Sequence, residues 1–125
     1  ICVGCQMLME SSEEGREKGL GWIKGKTVKF DQTKMIINHR IPHMDWCEVQ
    51  PVQESLLYQG IEEPRFYFAH SYHVICNDEL NITATAQYGY QFPASIQSNN
   101  IMGVQFHPEK SHSFGMKLYT NFSKI

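Results

Sequence analysis

A β-rich stretch from residue 65 to residue 106 constrains the fold of this chain more than any other feature. It begins with an aromatic segment, residues 65–74, whose apolar first half is typical of a strand buried on both faces. Three more strands, divided by short turns, are predicted at residues 82–87, 91–97 and 100–106. Four closely spaced strands predict a sheet at the centre of the domain.

Helical segments are predicted at both ends of the chain. Residues 6–12 are rich in good helix formers, and residues 111–122 carry apolar side chains at helical spacing. The intervening segments that we predict as short strands or helical turns are residues 27–30, 35–41 and 54–59. Strands with a helix at either end favour an α/β domain over an all-β sandwich.

The first residues indicate an incomplete domain. A candidate nucleophile, Cys2, follows Ile1 directly, which leaves no room for a strand that would position it. A length of 125 residues suffices for one hydrophobic core but not for two. We therefore expect residues 1–125 to be the C-terminal part of a single domain, with its N-terminal strands missing from this sequence.

Composition places the chain among ordinary globular proteins and argues against several other classes. It is 42% hydrophobic and 19% charged, with a formal net charge of −2. Its densest basic group lies between Lys24 and Lys34 at a spacing typical of a solvated hairpin, so no nucleic-acid partner is predicted. No apolar run reaches membrane-spanning length, and the cysteine usage favours a reduced, cytoplasmic protein.

Cys2 near the start and the tripeptide His107-Pro108-Glu109 near the end could form a covalent-catalysis triad. A cysteine where a strand turns into a helix has its thiolate at the helix N-terminus, beside amides that can hold an oxyanion. His107 would follow a strand, with Glu109 close enough to orient it. The alternative is that Cys2 is a small buried residue and His107 a turn residue.

Cys2 and Cys5 also form a Cys-x-x-Cys pair, which could be a redox dithiol or half of a zinc site. The six histidines supply no second tight pair with a cysteine. His70 and His73 come nearest, but residues three apart in a strand point to opposite faces. No metal site is therefore predicted.

Five blocks in register make the chain similar to class I glutamine amidotransferases of the triad type. Within that family they are most similar to the glutaminase subunits of imidazole glycerol phosphate synthases. The blocks are Cys2-Val3-Gly4-x-Gln6, Gly19-Leu20-Gly21-Trp22, Ile41-Pro42-His43-Met44-x-Trp46, Phe68-Ala69-His70-Ser71-Tyr72 and Gly103-Val104-Gln105-Phe106-His107-Pro108-Glu109-Lys110-Ser111.

The resemblance implies a three-layer α/β domain of flavodoxin or Rossmann-like type and a glutaminase that needs no cofactor. Cys2 would attack the glutamine carboxamide and form a thioester, His107 would move the protons, and Glu109 would hold the imidazole. The residues implied in substrate binding, through an oxyanion amide or contacts to the glutamine head group, are Val3, Gly4, Gln6, Ser71 and Tyr72. On its sequence alone, Gln6 could equally be a helix-surface residue.

The resemblance also implies a partner that receives ammonia, a (β/α)8-barrel cyclase in a heterodimer that makes imidazole glycerol phosphate for histidine biosynthesis. The residues implied at that interface are Pro42, His43, Met44, Trp46 and Lys110. Asp45 and Cys47 depart from the family pattern around Trp46. A paralogous glutaminase that supplies a sugar amidotransferase in surface-polysaccharide biosynthesis, or a non-catalytic module of the same fold, are the alternatives.

Overall fold

The computed structural model describes all of residues 1–125 and has a mixed α/β architecture. Helix α1 spans Val3–Met7 and helix α2 spans His112–Phe122. The strands are β1 (Ser11–Ser12), β2 (Gly25–Lys29), β3 (His43–Pro51), β4 (Arg65–His70), β5 (Tyr72–Cys76), β6 (Ile82–Tyr88), β7 (Tyr90–Ser98) and β8 (Ile101–Val104). Short 3-10 helices cover Gln32–Lys34, Leu56–Tyr58, Glu79–Asn81 and Pro108–Lys110. The predicted α/β class is confirmed.

The strands form two sheets. A five-stranded sheet has the order β4-β3-β6-β7-β8 and is antiparallel throughout. A three-stranded sheet has the order β1-β2-β5, and its β1–β2 pair is the single parallel pairing of the fold. Neither helix is long and apolar enough to cross a bilayer, since the longer one, α2, has 11 residues.

The core has two parts, and strand β7 contributes to both. Phe92 and Ala94 belong to a larger cluster that also contains Phe66 and Leu118. Ile96, two residues further on the same face of β7, belongs to a smaller cluster that packs beneath α1. The buried members of the smaller cluster are Cys5, Leu8, Met9, Ile23, Val74 and Ile96. Helix α1 is thereby anchored on the sheets.

The segment predicted as one strand, residues 65–74, is two strands in different sheets. Strand β4 pairs with β3, β5 pairs with β2, and Ser71 lies between them. Phe66 and Phe68 are fully buried, whereas Tyr67 and Ala69 on the opposite face are half-buried. The prediction of burial on both faces is therefore wrong for β4.

Two further predictions from local pattern differ from the structure. Helix α1 ends at Met7, before the predicted limit at residue 12, because Ser11–Ser12 pair with β2. Residues 35–41 form no strand, and their Ile36 side chain is 96% exposed. Strand propensity needs a pairing partner to act, and this segment has none.

Backbone hydrogen bonds place Cys2, near the start of the sequence, beside residues 104–107 at the end of β8. The Cys2 N–H donates to the Val104 carbonyl at 2.8 Å. The Gln105 N–H donates to Ala94 of β7 at 2.8 Å, and the His107 N–H donates to Tyr67 of β4 at 2.9 Å. Residues about a hundred positions apart are thus placed around one sheet edge.

Candidate active site

Cys2 occupies a strained turn immediately before α1. Its φ of 47° and ψ of −112° put a non-glycine residue in a left-handed region that L side chains rarely adopt. Such a conformation persists when surrounding contacts enforce it, and it is frequent at functional sites. Here the Cys2 N–H bond to Val104 and the Gln6 N–H bond to the Cys2 carbonyl enforce it. The turn fixes the thiol at the end of β8.

Gly4 does not create this turn. A Cβ added at Gly4 would meet no atom within 4 Å, and its φ is not in the left-handed region. The strained residue of the turn is Cys2 itself. The position that a side chain at Gly4 would occupy is open space.

The Cys2 thiol lies among polar groups. Its S–H donates to the Ala69 carbonyl at 3.8 Å, and its sulfur accepts from Gln105 Nε2 at 3.6 Å. Burial raises the pKa of the thiol, while the Val3 backbone N–H and the Gln105 amide act to lower it. Because the net direction is upward, the resting group is a thiol that needs a base to become a nucleophile.

His107 and Glu109 form a tight pair just beyond β8. His107 Nδ1 lies 2.6 Å from Glu109 Oε1, across the 3-10 turn Pro108–Lys110. A carboxylate can only accept, so Nδ1 donates, and in the neutral imidazole Nε2 then carries the lone pair of a base. Partial burial acts to raise the pKa of Glu109, and the hydrogen bond from His107 acts to lower it. The net direction is downward.

Ser111 holds the backbone of that turn. Its hydroxyl donates to the His107 carbonyl at 2.6 Å and accepts from the Tyr67 N–H at 3.0 Å. Ser111 is fully buried, so both bonds are shielded from water. Since the Cys2 N–H is bonded to Val104, the thiol and the His107–Glu109 pair flank the same end of β8. The Glu109 charge also acts to raise the pKa of the Cys2 thiol.

Gln6 is not a helix-surface residue. Its side chain is 8% exposed, and its Nε2 donates to the Tyr72 carbonyl at 3.0 Å and to Gln105 Oε1 at 3.1 Å. Tyr72 begins β5, and the Ser71 carbonyl before it accepts from Phe30 N at 3.0 Å. The structure therefore joins Gln6 to the β4–β5 break.

A cavity of about 360 Å³ lies against α1. Val3 and Gln6 contribute to its wall, and Ser12, Glu14 and Gly19 border it on the loop side. The space is large enough for an amino-acid-sized molecule, because a single water occupies about 30 Å³ of liquid. Val3, which contributes to its wall, directly follows Cys2 in the sequence.

The residues expected at a partner interface do not share one environment. Pro42, Met44 and Lys110 are exposed, and Trp46 is half-buried with its ring stacked on His112 at 5.7 Å between centroids. His43 is only 1% exposed, and its Nδ1 is hydrogen-bonded to His70 Nε2 at 3.0 Å. Burial withdraws His43 from any partner, so the expectation for that residue is wrong.

His43 instead belongs to a buried histidine cluster, His43, His70 and His73, around Phe30. Burial lowers the pKa of His43 to about 4 and that of His70 to about 3. Burial also lowers the pKa of His73. No sequence pattern indicated this cluster, since its members come from β3, β4 and β5.

Cys5, the second half of the Cys-x-x-Cys pair, lies in the smaller core cluster. It is 1% exposed, and burial raises its pKa to about 12. A thiol so shielded is inert as a nucleophile. All four cysteines are free, and no three His, Cys, Asp or Glu side chains group as a metal site would require.

Sequence comparison identifies the family of this chain. Residues 1–124 match the family described as glutamine amidotransferase class-I. The chain belongs to the class-I glutamine amidotransferase family. The resemblance expected from the five sequence blocks is therefore confirmed.

Curated relatives of this amidotransferase chain carry related names. It is 53% identical to imidazole glycerol phosphate synthase subunit HisH 2 of Methanococcus maripaludis, over 99% of this chain and 60% of the relative. It is 47% identical to subunit HisH of Sulfurimonas denitrificans, over 99% and 60% of the two chains. It is 44% identical to subunit HisH of Leptospira borgpetersenii, over 100% of this chain and 62% of the relative. The chain spans about three fifths of the length of these relatives.

Proposed function

We propose that this chain hydrolyses L-glutamine to glutamate and ammonia through a cysteine thioester. The observation that carries the proposal is the placement of Cys2, in a strained turn before a helix, at the strand end that also presents the His107–Glu109 pair. Membership of the class-I amidotransferase family supports the same chemistry. Residues 1–125 are proposed to belong to one amidotransferase domain, because β7 contributes to both core clusters.

The proposed reaction begins with proton transfer from Cys2 to His107 Nε2. The sulfur then bonds to the carboxamide carbon, and the Val3 N–H stabilises the developing oxyanion. The carbon–nitrogen bond breaks as His107 returns the proton to the leaving nitrogen, which departs as ammonia. His107 next takes a proton from water, whose oxygen attacks the thioester. Glutamate leaves and Cys2 regains its proton, so glutamine and water yield glutamate and ammonia.

Glu109 supports both halves of this cycle. Its hydrogen bond to Nδ1 fixes the tautomer in which Nε2 is the base, and its charge stabilises the imidazolium that forms. The glutamine head group is proposed to bind near Gly4 and Gln6, with backbone groups of Ser71 and Tyr72. The cavity whose wall includes Val3 and Gln6 supports the part of this placement that lies against α1.

We also propose that the ammonia passes to a (β/α)8-barrel cyclase in a heterodimer, for imidazole glycerol phosphate synthesis in histidine biosynthesis. The names of the curated relatives support this acceptor over a sugar amidotransferase. The proposed docking surface consists of Pro42, Met44, Trp46 and Lys110, without the buried His43. A cytoplasmic location is part of the proposal, in keeping with four free thiols.

The test measures glutamate release from glutamine by the protein together with its cognate synthase subunit. Cys2→Ser should abolish turnover, because a serine hydroxyl is far less readily ionised than a thiol. Cys76→Ser is the matched control, since this half-buried thiol at the end of β5 lies outside both the site and the proposed docking surface. Undiminished turnover in Cys2→Ser would overturn the nucleophile assignment. Absence of turnover in the unsubstituted complex would favour a non-catalytic module.

The acceptor is tested separately by titrating the protein with the barrel cyclase. Under the histidine proposal, saturable binding should accompany stimulated glutaminase activity. Lys110→Ala should weaken this binding, whereas Lys124→Ala, an exposed lysine beyond α2, should leave it unchanged. Stimulation by a sugar amidotransferase, but not by the cyclase, would replace the acceptor and keep the glutaminase.

A further inference from the structure

Gln105 is a fully buried amide that touches the proposed nucleophile. Its side chain lies between two others: Oε1 accepts from Gln6 Nε2 at 3.1 Å, and Nε2 donates to Cys2 Sγ at 3.6 Å. Its backbone N–H is bonded to Ala94 of β7 at 2.8 Å, so the residue is held by the central sheet. The mechanism proposed above does not use it.

The hydrogen-bond chain determines which end of the amide faces the sulfur. The Tyr72 carbonyl can only accept, so Gln6 must present its NH2 group to it. The same NH2 group faces Gln105, whose carbonyl oxygen must therefore accept. The NH2 group of Gln105 is left pointing at Cys2. Hydrogen bonds thus link Tyr72, Gln6, Gln105 and Cys2 in a chain whose donor and acceptor roles are fixed.

We propose that Gln105 is a positioning residue that orients the Cys2 sulfur and stabilises its thiolate after proton removal. The sulfur makes two hydrogen bonds, through its S–H to the Ala69 carbonyl and from the Gln105 N–H. When the proton leaves, the first bond is lost and the second becomes charge-assisted, which strengthens it. The anion is thereby retained in the orientation needed for attack.

This proposal rests on Cys2 being the nucleophile of the proposed glutaminase, but the thiol chemistry can be measured without that activity. The first experiment follows iodoacetamide alkylation of the Cys2 peptide by mass spectrometry, as a function of pH. Gln105→Met keeps the length of the side chain and removes the N–H donor. We expect the apparent pKa of the Cys2 thiol to rise by roughly one unit, the effect of losing one hydrogen bond to a charged group.

The matched control is Asn121→Leu. Asn121 is another buried amide, 8% exposed, whose Nδ2 donates to the carbonyls of Leu57 and Gln59 and not to Cys2, Gln6 or Gln105. Its loss should lower thermal stability and leave the Cys2 alkylation profile unchanged. If Gln105→Met does not fold, Gln6→Met provides the second variant. It removes the donor that fixes the Gln105 amide, and it should shift the profile in the same direction.

The second experiment measures steady-state kinetics with the synthase subunit. Gln105→Met should lower kcat for glutamine by about tenfold, with KM within about twofold, because the residue acts on the thiolate and not on the substrate. A folded Gln105→Met with an unshifted Cys2 alkylation profile overturns the proposal and leaves Gln105 a packing residue. An inactive unsubstituted complex with a shifted profile rejects the proposed function and retains this inference.

Discussion

Acidification should destabilise this protein well above the pH at which carboxylates protonate. The buried histidine cluster is the cause, because His43 and His70 share a hydrogen bond at 3.0 Å inside the fold. His70 Nδ1 also lies 2.7 Å from the Tyr72 carbonyl, so that nitrogen donates and Nε2 accepts from His43. This arrangement requires the His70 ring to be neutral, and burial favours the neutral form of His43 as well.

The magnitude follows from the pKa differences between the folded and unfolded chains. Burial lowers the pKa of His43 from 6.5 to about 4 and that of His70 from 6.5 to about 3. Between the folded and unfolded values the unfolded chain binds more protons, so the free energy of unfolding falls as the pH falls below 6.5. At pH 5 each histidine costs ~2 kcal/mol, at about 1.36 kcal/mol per unit of pH below the unfolded pKa. Two such residues remove ~4 kcal/mol of a stability that is typically about 5–15 kcal/mol.

Urea denaturation at pH 7.5 and pH 5 provides the assay. His43→Phe should stack similarly on Phe68 and Tyr88 and should reduce the loss of stability between these pH values by ~2 kcal/mol. The exposed His112, substituted by Gln, is the control and should leave the pH dependence as it is. A stability that is unchanged between pH 7.5 and pH 5, or a loss that His43→Phe does not reduce, would refute the reasoning.

Three further predictions concern the turn that carries His107. In Gly115→Ala, an added Cβ would overlap the Pro108 carbonyl oxygen, so thermal denaturation should show a loss of ~1–3 kcal/mol, whereas helix propensity alone would give a gain. Ser111→Ala leaves the Tyr67 N–H unpaired and should cost ~1–3 kcal/mol in urea titrations; a neutral result would contradict its bridging role. Glu109→Gln should lower kcat for glutamine by roughly 10²-fold at nearly constant KM, and a change confined to KM would remove its orienting role.

Local sequence signals predicted the elements that local forces determine. Helix α2 follows the apolar spacing of residues 111–122, and strands β6, β7 and β8 follow their turn-bounded β-rich runs. The tripeptide starting at His107 was placed at a strand end, where the structure has it. These features depend on periodicity and turn chemistry, which neighbouring residues carry.

Features that depend on distant partners were missed. His43 was expected at the surface, yet its burial comes from pairing of β3 with β4 and from Tyr88 of β6. Gln6 could not be distinguished from a helix-surface residue, because its partners Tyr72 and Gln105 lie 66 and 99 positions away. The break at Ser71, which sends β4 and β5 into different sheets, has no local marker such as glycine or proline.

The central claim is that Cys2 forms a covalent intermediate with glutamine. Acid quenching of the protein–synthase complex during turnover, followed by mass spectrometry of the peptide that carries Cys2, tests it most directly. A γ-glutamyl adduct on Cys2, absent in the Cys2→Ser variant, is the predicted result. Steady glutamate release with no adduct on Cys2 at any quench time, together with full activity of Cys2→Ser, would contradict the account.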